Sequence, residues 1–469
     1  MSLTKVTNSM IQGAFINVLD YLTPTEIADV QSNTGAINIT NKVQAAIDAA
    51  AAIGPFGVDG GAFVYFPTGT YSVSTLNWKQ QVSAIGEGHY SSIIRANTAG
   101  TDALILFENV SRATIRDIWF DGNDLCSRTF KFRATTTAGS VLLEHVHFTG
   151  ALDITVELDD AGTGPDDVAH ILFIQCYLRS DPSGGLQSQF ANNAANGLLI
   201  TFIGGIISSR QNPSNVNIEV NQGTVTVIDT YFSGASTGDI DCTAGTVRVW
   251  GSRSESGGFF FRSQAVDTTG LTQSPHLFEG FQSSNTGSNT FLLQGERVTT
   301  INGCQSSGNI YVSGKAVCEL GTYTKSDGTY PIVLAVAGGF LGTVRSLGKA
   351  PNKTAQIDTA APNHDAFFVM ENLETGANDW AITSGTAVND LAIRNISNLY
   401  NALYFQNGTG KASIGINGAS FGGGEAVIYI ANANILPTTP PSLGGVLYVD
   451  SGALKYIGSS GTVTTIAAA

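Results

Sequence analysis

The chain has 469 residues, too many for one ordinary compact core, so we expect several domains or an elongated repeat architecture. Its 54 glycines and only 13% charged residues favour many short strands joined by tight turns. The net charge of −14 argues against nucleic-acid binding, which needs a clustered basic surface, and would repel anionic membranes.

No apolar run approaches the ~20 residues that span a bilayer, and the first residues lack the continuous apolar core of a signal peptide. The cysteines lie far apart and form no CxxC pair, so neither a zinc site nor a disulfide framework is predicted. We expect reduced, buried thiols, synthesis in a cytoplasm, and no metal or cofactor. The cysteines are Cys126, Cys176, Cys242, Cys304 and Cys318.

The first predicted element is a helix within NITNKVQAAIDAAAAI, residues 38–53, with Thr40 as its N-cap. It is the one short N-terminal helix that the pattern predicts. GGAFVYFPTGTYSVS then reads as two strands separated by a turn. The apolar residues on one face of the helix are Val43, Ala46, Ile47 and Ala50.

From about residue 110 a periodic unit of two or three strands recurs every 18 to 30 residues. A period that varies in length without disappearing is typical of a solenoid, in which strands stack while loops vary. A parallel β-helix fits because its coils need only inward apolar residues and turns. One aligned strand appears as IRDIWFDG, LEHVHFTG, FIQCYLRS, FIGGIISS, VIDTYFSG, VWGSRSES, FEGFQSSN, INGCQSSG and ELGTYTKS.

The pattern changes near residue 345. Residues 346–432 read as short antiparallel strands with Asn/Gly turns, most simply a small β-sandwich. LPTTPPS, residues 436–442, forms a stiff linker. The three strands predicted after it hold too few apolar residues to fold alone, so we expect them to pair between chains.

Several stretches carry a resemblance to a known family. They are MSLTKVTNSMIQGAFINVLDY at the start, VQAAIDAA in the predicted helix, and GGAFVYFPTGTYSVSTL followed by AIGEGHYSSIIRA. Over residues 1–100 they resemble bacteriophage tailspikes of the pectate-lyase-like, right-handed β-helix superfamily, and the repeat extends the likeness to about residue 345. The closing GGVLYVDSGALKYIGSSGTVTTIAAA resembles the C-terminal ends of phage tail proteins.

The resemblance implies an all-β, right-handed parallel β-helix in a homotrimeric virion appendage that binds, and often cleaves, a bacterial surface polysaccharide. It also implies attachment to a phage tail or baseplate protein, and action outside the host cell after synthesis in the host cytoplasm. The family shares no single catalytic motif, so no active-site residue carries over. The predicted parts are 1–30 for virion attachment, 31–110 for the helix and first coils, 111–345 for the β-helix, 346–432 for the antiparallel domain, and 433–469 for linker and trimerisation strands.

The repeat predicts catalytic residues on an exposed sheet. Alternate residues of the second repeated strand, as in VNIEVN and GDIDCT, point outward. Glu219 and Asp241 fall in register there, and Glu157 lies about two coils away. Coils stack ~4.8 Å apart, so the carboxyl separations of both retaining and inverting glycosidases are available. Repulsion between stacked carboxylates raises one pKa, as a general acid requires.

The outward columns beside these acids predict the substrate-binding residues. Exposed aromatic rings stack on sugar rings, and charged or amide side chains bind hydroxyl groups. The alternative is that a solvent-facing strand simply carries polar residues. The predicted substrate-binding residues are Lys131, Arg133, Asn217, Asp239, Phe260, Arg262 and Tyr311.

Two functional hypotheses remain open from the sequence. The first is a trimeric tailspike that depolymerises polysaccharide, as a glycosidase or, in a variant, as a lyase with Lys131, Arg133 or Arg262 beside the acids. Arginine at its usual pKa is a poor base, which disfavours the lyase. The second is a non-catalytic appendage that binds host glycan or serves as a structural virion component.

One further pair of residues has a possible metal-binding spacing. In EHVHF, His145 and His147 are predicted on one face of a strand, where they could chelate a metal ion. The sequence offers no obvious third ligand, so a stacked or hydrogen-bonded pair is the favoured alternative.

Overall fold

The computed structural model divides into two compact units, Met1–Gln356 and Ile357–Ala469. The structure describes residues 15–53, 62–134, 139–160, 170–179, 188–193, 199–209, 216–264, 275–285, 288–313, 316–321, 323–325, 332–337, 340–341, 343–346, 366–370, 380–384, 391–395, 400–406, 411–414, 428–430, 432–433, 436–442 and 444–469.

Two α-helices, rather than the single predicted one, precede the β-helix. The expected helix spans Thr40–Ile53, and the four apolar residues predicted on its inner face are buried. A second helix, Pro24–Gln31, begins with a capping box between Thr23 and Glu26 and has proline in its first turn. A 3-10 turn, Val18–Tyr21, comes before both. Among the described residues, no helix is long and apolar enough to cross a bilayer.

Thr40 is the first residue of its helix rather than its N-cap. Its side chain instead accepts a hydrogen bond from the backbone N–H of Ser74 at 2.7 Å. The side-chain carbonyl oxygen of Asn38 accepts from the backbone N–H of Thr40 at 3.0 Å. The helix start is therefore fixed partly by the strand region that it packs against.

The rest of the first unit is a parallel β-helix, and each coil adds a strand to three sheets. The first sheet has thirteen parallel strands. They are Ile16–Asn17, Phe63–Phe66, Ser83–Gly86, Ala113–Arg116, Val141–Glu144, His170–Ile174, Leu199–Ile203, Thr224–Ile228, Thr246–Trp250, His276–Glu279, Val298–Asn302, Val317–Leu320 and Thr343–Ser346.

The second sheet follows the first around the coil and has mostly very short strands. Two long strands, Trp119–Ala134 and His147–Asp160, begin in this sheet and end in the third. The other strands are Gly69–Val73, Ser92–Ala96, Tyr177–Arg179, Ile206–Ser208, Tyr231–Ser233, Arg253–Glu255, Gln282–Ser283, Cys304–Ser306 and Tyr323–Lys325.

The third sheet completes each coil. Its last strand, Ile332–Ala337, pairs with an antiparallel strand, Phe340–Leu341. Besides the ends of the two long strands, it contains Leu76–Asn77, Thr101–Glu108, Ser188–Asn192, Val216–Val220, Gly238–Cys242, Phe259–Ser263, Asn289–Leu293 and Asn309–Ser313.

Apolar side chains stack inside the coils. Phe173 and Phe202, partners in the first sheet, lie with ring centroids 4.5 Å apart, and Phe120 and Phe148 of the second sheet are 5.6 Å apart. Complete burial of such a side chain contributes about 1.5–3 kcal/mol. All five cysteines are free and buried, as the sequence predicts. This continuous core confirms the predicted parallel β-helix.

Residues with positive φ form the corner between the first and second sheets. Glycine adopts this left-handed conformation without a steric penalty, and asparagine, aspartate and histidine adopt it more readily than other residues. Each such residue redirects the chain from one sheet to the next. The corner residues are Asp117, His145, Gln175, Gly204, Asp229, Gly251, Gly280 and Gly303.

The second unit contains two sheets. The antiparallel strands expected in residues 346–432 are present as one sheet of six strands, in which only the last pair is parallel. The tail forms a three-stranded antiparallel sheet of Gly445–Asp450, Ala453–Gly458 and Val463–Ala467. The six strands are Ala366–Met370, Trp380–Ser384, Leu391–Asn395, Tyr400–Gln406, Lys411–Ile414 and Ile428–Ile430.

Candidate functional site: a groove on the second sheet

Aromatic side chains lie at the same position on four of five successive coils of the second sheet. Trp119, His147, Tyr177, Ile206 and Tyr231 are direct partners in parallel register. The Trp119 and His147 rings stack at 5.1 Å with 22° between their planes. Each strand has an inward residue after the outward one, so the ring faces away from the core.

The turn that carries His89 and Tyr90 covers part of this column. Tyr90 is 66% exposed and meets Trp119 edge-on, with ring centroids 6.2 Å apart. His89 stacks on Tyr177 at 5.4 Å. We call this surface the aromatic groove and define it by Tyr90, Trp119, His147, Tyr177 and Tyr231.

Three open cavities lie along the aromatic groove, with volumes of about 560, 410 and 480 Å³. The first contains Asp117 and His145, and the second contains Asp121 and Trp119. The third contains Tyr231, and it shares Arg179 with the second. The cavities share lining residues, so together they form an extended binding surface rather than one closed pocket.

Polar contacts fix the floor of the second cavity. The Nε of Arg95 donates a hydrogen bond to Asp121 at 2.8 Å. The other Asp121 carboxylate oxygen accepts from the Asn123 backbone N–H at 2.9 Å and from the Thr149 hydroxyl at 3.3 Å. Thr149 also accepts from the Trp119 indole N–H at 2.7 Å. This network holds the indole ring in place.

His147 is 5% exposed and lies at the centre of the groove. Burial lowers its pKa to about 4, and the nearby positive charges of His89 and Arg179 act in the same direction. The imidazole is therefore neutral at physiological pH. Its Nδ1 atom is buried and has no hydrogen-bond partner among the described residues.

The predicted pairing of His145 with His147 on one strand face is wrong. His145 is a corner residue with positive φ, so the chain turns between the two histidines. His145 contacts Asp117, at 3.5 Å, and Gln175 from the neighbouring corners. Within the described part of the chain, no group of three or more potential ligands could hold a metal ion.

The predicted carboxylate pair lies on the third sheet. Glu219 is the parallel partner of Asp241, as the repeat predicts, and Asp241 is the partner of Arg262. Glu157 lies two coils before Glu219, separated from it by Ala191. The ladder is thus on a different sheet from the aromatic groove.

The two acids of the ladder differ in their partners. Asp241 accepts hydrogen bonds from Arg262 through both oxygens and from Gln264 at 3.0 Å. Glu219 forms no hydrogen bond or ion pair with any described residue. Burial raises the pKa of Glu219, and the charges of Asp241 and Asp153 raise it further. One acid is thus bound by an arginine and lies beside another whose pKa is raised.

Glu157 belongs to an ion-pair cluster. Its carboxylate lies 2.8 Å from the Nε of Arg128 and 3.6 Å from the Nζ of Lys131, and it also accepts from Asn193 at 3.1 Å. Lys131 additionally pairs with Asp102 at 3.1 Å. Glu157 thus has ion-pair partners, as Asp241 does, whereas Glu219 has none among the described residues.

Counting along the repeat places Arg133 in the same outward column as Glu157, and this prediction is wrong by two residues. Lys131 lies opposite Glu157, and Arg133 lies opposite Asp159. Register shifts between the two long strands account for the difference, because a bulge changes the pairing that simple repeat counting assumes. Arg133 is 3.7 Å from Asp159.

Three predicted substrate-binding residues are completely buried. Asn217 and Asp239 join a polar network in which Asp239 accepts hydrogen bonds from Ser254, Ser256 and Asn217. The chain that leaves the second sheet covers these positions, so alternation along the strand does not expose them.

The third, Phe260, is in the core, where it stacks on Phe281 at 3.6 Å between centroids. It therefore provides no sugar platform. Arg262 and Tyr311 remain partly exposed on the third sheet, in the column of Glu219 and Asp241.

The aromatic groove is missing from the predicted sites, although the aligned strands contain its signal. The fifth residue of the aligned unit is Trp119, His147, Tyr177, Ile206, Tyr231 and then Arg253. Four of the first five carry rings, a concentration that indicates a shared surface. That one column of the aligned strands therefore predicts the groove.

Residues 30–239 match the family model described as rhamnogalacturonase A/epimerase, pectate lyase-like. No curated protein matches the chain.

Solved structures with similar folds include proteins of two phages and one bacterial enzyme. ORF18 of Geobacillus virus E2 is 16% identical, with 97% of this chain and 86% of that chain covered and a TM-score of 0.42. The enzymatically active domain of tailspike protein 2 from bacteriophage CBA120 is 10% identical, with 92% and 68% covered and a TM-score of 0.45.

The catalytic unit of an α-1,3-glucanase from Streptomyces thermodiastaticus strain HF3-3 is 13% identical, with 71% and 69% covered and a TM-score of 0.44. The family match begins within the N-terminal helices and continues through the coils that carry the groove. Over residues 30–239, the chain is therefore similar to the pectate-lyase-like family, and the described residues of this range contain the coils of the parallel β-helix.

Proposed function

We propose that the protein is a phage tailspike that binds a bacterial surface polysaccharide along the aromatic groove. The observation that carries this proposal is the column of rings on successive coils. Coils repeat every ~4.8 Å, close to the length of one sugar in an extended chain, so the partly exposed rings of the column can meet sugars of one extended chain. The apolar faces of sugars pack against such rings, and the polar groups between them bind hydroxyls.

Binding to purified capsule and lipopolysaccharide of candidate hosts tests this function. Trp119→Ala should weaken binding about tenfold or more, because buried aromatic anchors dominate recognition. Trp250→Ala is the matched control: this tryptophan is also partly exposed and donates its indole N–H, to Glu279 at 3.1 Å, but it lies on the first sheet. Binding in the groove is refuted if the two substitutions weaken glycan binding equally or if neither substitution weakens it.

We also propose, as a second candidate function, that Glu219 and Asp241 cleave the glycan as a glycosidase pair. The raised pKa of Glu219 beside arginine-bound Asp241 favours this assignment, since a general acid must keep its proton. Lys131 and Arg262 are engaged in ion pairs, which disfavours them as lyase bases. The ladder lies on a different sheet from the groove, so one glycan would contact both by crossing the edge between sheets or by bridging subunits.

Released reducing ends and the absorbance of unsaturated sugars distinguish the possible reactions. Reducing ends without that absorbance indicate hydrolysis, and both signals together indicate a lyase. Glu219→Gln and Asp241→Asn should each abolish hydrolysis while glycan binding persists. Cleavage that survives both substitutions would remove the pair from the mechanism, and binding without either signal would favour the non-catalytic appendage.

The assembly and location that we propose follow the tailspike assignment. The chain would form a homotrimer, attach to a phage tail or baseplate protein through residues 1–30, and act at the outside of the host cell. Residues 1–14 of that segment lie outside the described residues. Immunogold labelling of phage particles would test the location, because a tail component labels the tail and a protein made only in the host does not.

A further inference from the structure

A second outward column runs beside the rings of the aromatic groove. Its parallel partners are Arg95, Asp121, Thr149, Arg179 and Ser208, in that order along the β-helix. The two arginines thus occupy equivalent positions on different coils of one sheet. Their surroundings can be compared directly.

Arg95 has an acidic partner, whereas Arg179 has none among the described residues. The Arg95 guanidinium is 2.8 Å from the Asp121 carboxylate. Arg179 forms no ion pair or hydrogen bond with any described residue. Its neighbours in the column are Thr149 and Ser208, and the Ser208 hydroxyl already accepts from Ser233 at 2.9 Å. Among the described residues, the groove therefore contains one arginine with an acidic partner and one without.

The third cavity of the groove is built around this arginine. Arg179 is the one charged side chain among the described residues that line it, because His147 is neutral and no acid lines it. Arg179 is partly buried, and a partly buried cation is more stable when a counterion pairs with it; no described residue supplies one. A ligand anion would supply that counterion.

His147 provides a second, independent sign of a ligand at the same place. It is more than nine-tenths buried, lines both the second and third cavities, and leaves Nδ1 without a hydrogen-bond partner among the described residues. Buried polar atoms are almost always paired in folded proteins. A hydroxyl of a bound sugar would satisfy this atom while the Tyr177 ring packs beside it.

We propose that Arg179 binds an anionic substituent, a carboxylate or a phosphate, of the glycan in the aromatic groove, which therefore selects acidic polysaccharides over neutral ones. The planar guanidinium matches the paired oxygens of both groups. The net charge of −14 repels polyanions at long range, so this selectivity depends on a local contact. The proposal rests on glycan binding in the groove.

An array of purified bacterial capsular and lipopolysaccharide glycans tests this selectivity with the full-length protein. Wild-type protein should bind glycans that carry carboxylate or phosphate groups. Arg179→Gln should weaken this binding about tenfold or more, as expected for loss of a charge-assisted hydrogen bond. Arg248→Gln, the matched control, should weaken it by less than about threefold, because this partly exposed arginine lies on the first sheet, outside the aromatic groove.

Chemical modification of the strongest-binding glycan identifies the anion. Carboxyl reduction should mimic Arg179→Gln if the group is a carboxylate, and dephosphorylation should do so if it is a phosphate. Neither treatment should weaken binding by the Arg179→Gln variant further. Thermal unfolding of each variant verifies that it is folded.

The remaining outcomes separate this inference from the proposed function. Neutral glycans bound equally by wild type and Arg179→Gln, but not by Trp119→Ala, would overturn the role of Arg179 and leave the groove as the binding site. Binding that survives both substitutions would overturn both. A folded protein that binds no glycan on the array would also overturn both.

Discussion

Arg262 holds the Asp241 carboxylate from the neighbouring coil through both carboxylate oxygens. The guanidinium also lies over the Phe259 ring, 4.8 Å from its centroid. These contacts cross-link two coils on the exposed face of the third sheet.

We expect Arg262→Gln to lower the free energy of unfolding by about 2 kcal/mol, because hydrogen bonds to charged groups contribute about 1.5–3 kcal/mol. Arg253→Gln is the control, since the Arg253–Glu255 pair is exposed and such pairs contribute about 0–1 kcal/mol. Urea unfolding midpoints measure both. Equal midpoints for the two variants would show that the Asp241 contact contributes no more than a surface pair.

Asp239 should make stability depend on pH in the acidic range. Burial raises its pKa from the ordinary aspartate value of 3.8 to about 6, despite the hydrogen bonds that it accepts. Between those values the folded protein holds a proton that the unfolded chain releases. Its contribution to stability is therefore complete below about pH 4 and is lost as the pH rises through about 6, by roughly 3 kcal/mol.

Urea unfolding at several pH values measures this dependence. Asp239→Asn, which cannot titrate, should flatten the profile between pH 4 and 6 relative to wild type, the interval set by the two pKa values. Asp48→Asn changes an exposed aspartate and should leave the profile unchanged. An unaltered profile in Asp239→Asn would mean that this carboxyl does not titrate in the interval.

Two glycines at or next to the corner allow the cost of a left-handed backbone to be compared with the cost of steric crowding. Both Gly205 and Gly280 have positive φ. A Cβ at Gly205 would lie 2.1 Å from the Cys176 carbonyl oxygen, whereas at Gly280 the nearest atom is 3.8 Å away. Gly280→Ala should thus cost about 1–2 kcal/mol for the left-handed conformation alone.

Gly205→Ala should cost distinctly more, because the Cys176 backbone must also move. Denaturation midpoints of the two variants give the comparison. If Gly205→Ala is no more destabilising than Gly280→Ala, the contact between these neighbouring coils is looser than the structure shows.

We expect the three-stranded sheet of the tail to hold the chains of the proposed trimer together. Every residue of Val463–Ala467 is exposed, including Val463 at 48% and Ile466 at 57%. Burying these side chains between copies would stabilise the proposed trimer by ~25 cal/mol per Å² of apolar surface. Light scattering should show a trimer for wild type and smaller species for Val463→Asp combined with Ile466→Asp. Leu199→Asp, at an exposed first-sheet residue, should remain trimeric.

The sequence predicts the coil architecture well because the inward positions repeat. It predicts one strand across residues 115–122, however, and the structure divides that stretch at Asp117 between two sheets. A corner changes which side chains face outward, and the hydrophobic pattern does not reveal it. That is why His145 and His147 do not share a strand face.

The candidate site was predictable only in part. Register along the repeat correctly places Glu219 beside Asp241. It is harder to predict which side chains are exposed, because Asn217 and Asp239 are covered by chain from another sheet, and Phe260 packs with rings distant in sequence. The start of the helix Pro24–Gln31, in contrast, is predictable from TPTE, the capping-box sequence that begins at Thr23.

In the three-residue strands of the second sheet, the residue that packs in the core is different from the residues that face the groove. In Tyr177–Arg179, the central Leu178 is fully buried while Tyr177 and Arg179 face the groove, and Phe232 has the same place between Tyr231 and Ser233. Substitutions at the outer positions leave the stacked core intact. Under the proposed function, a lineage would exchange one surface glycan for another by changing a few separated codons, while the inherited scaffold continues to fold as before.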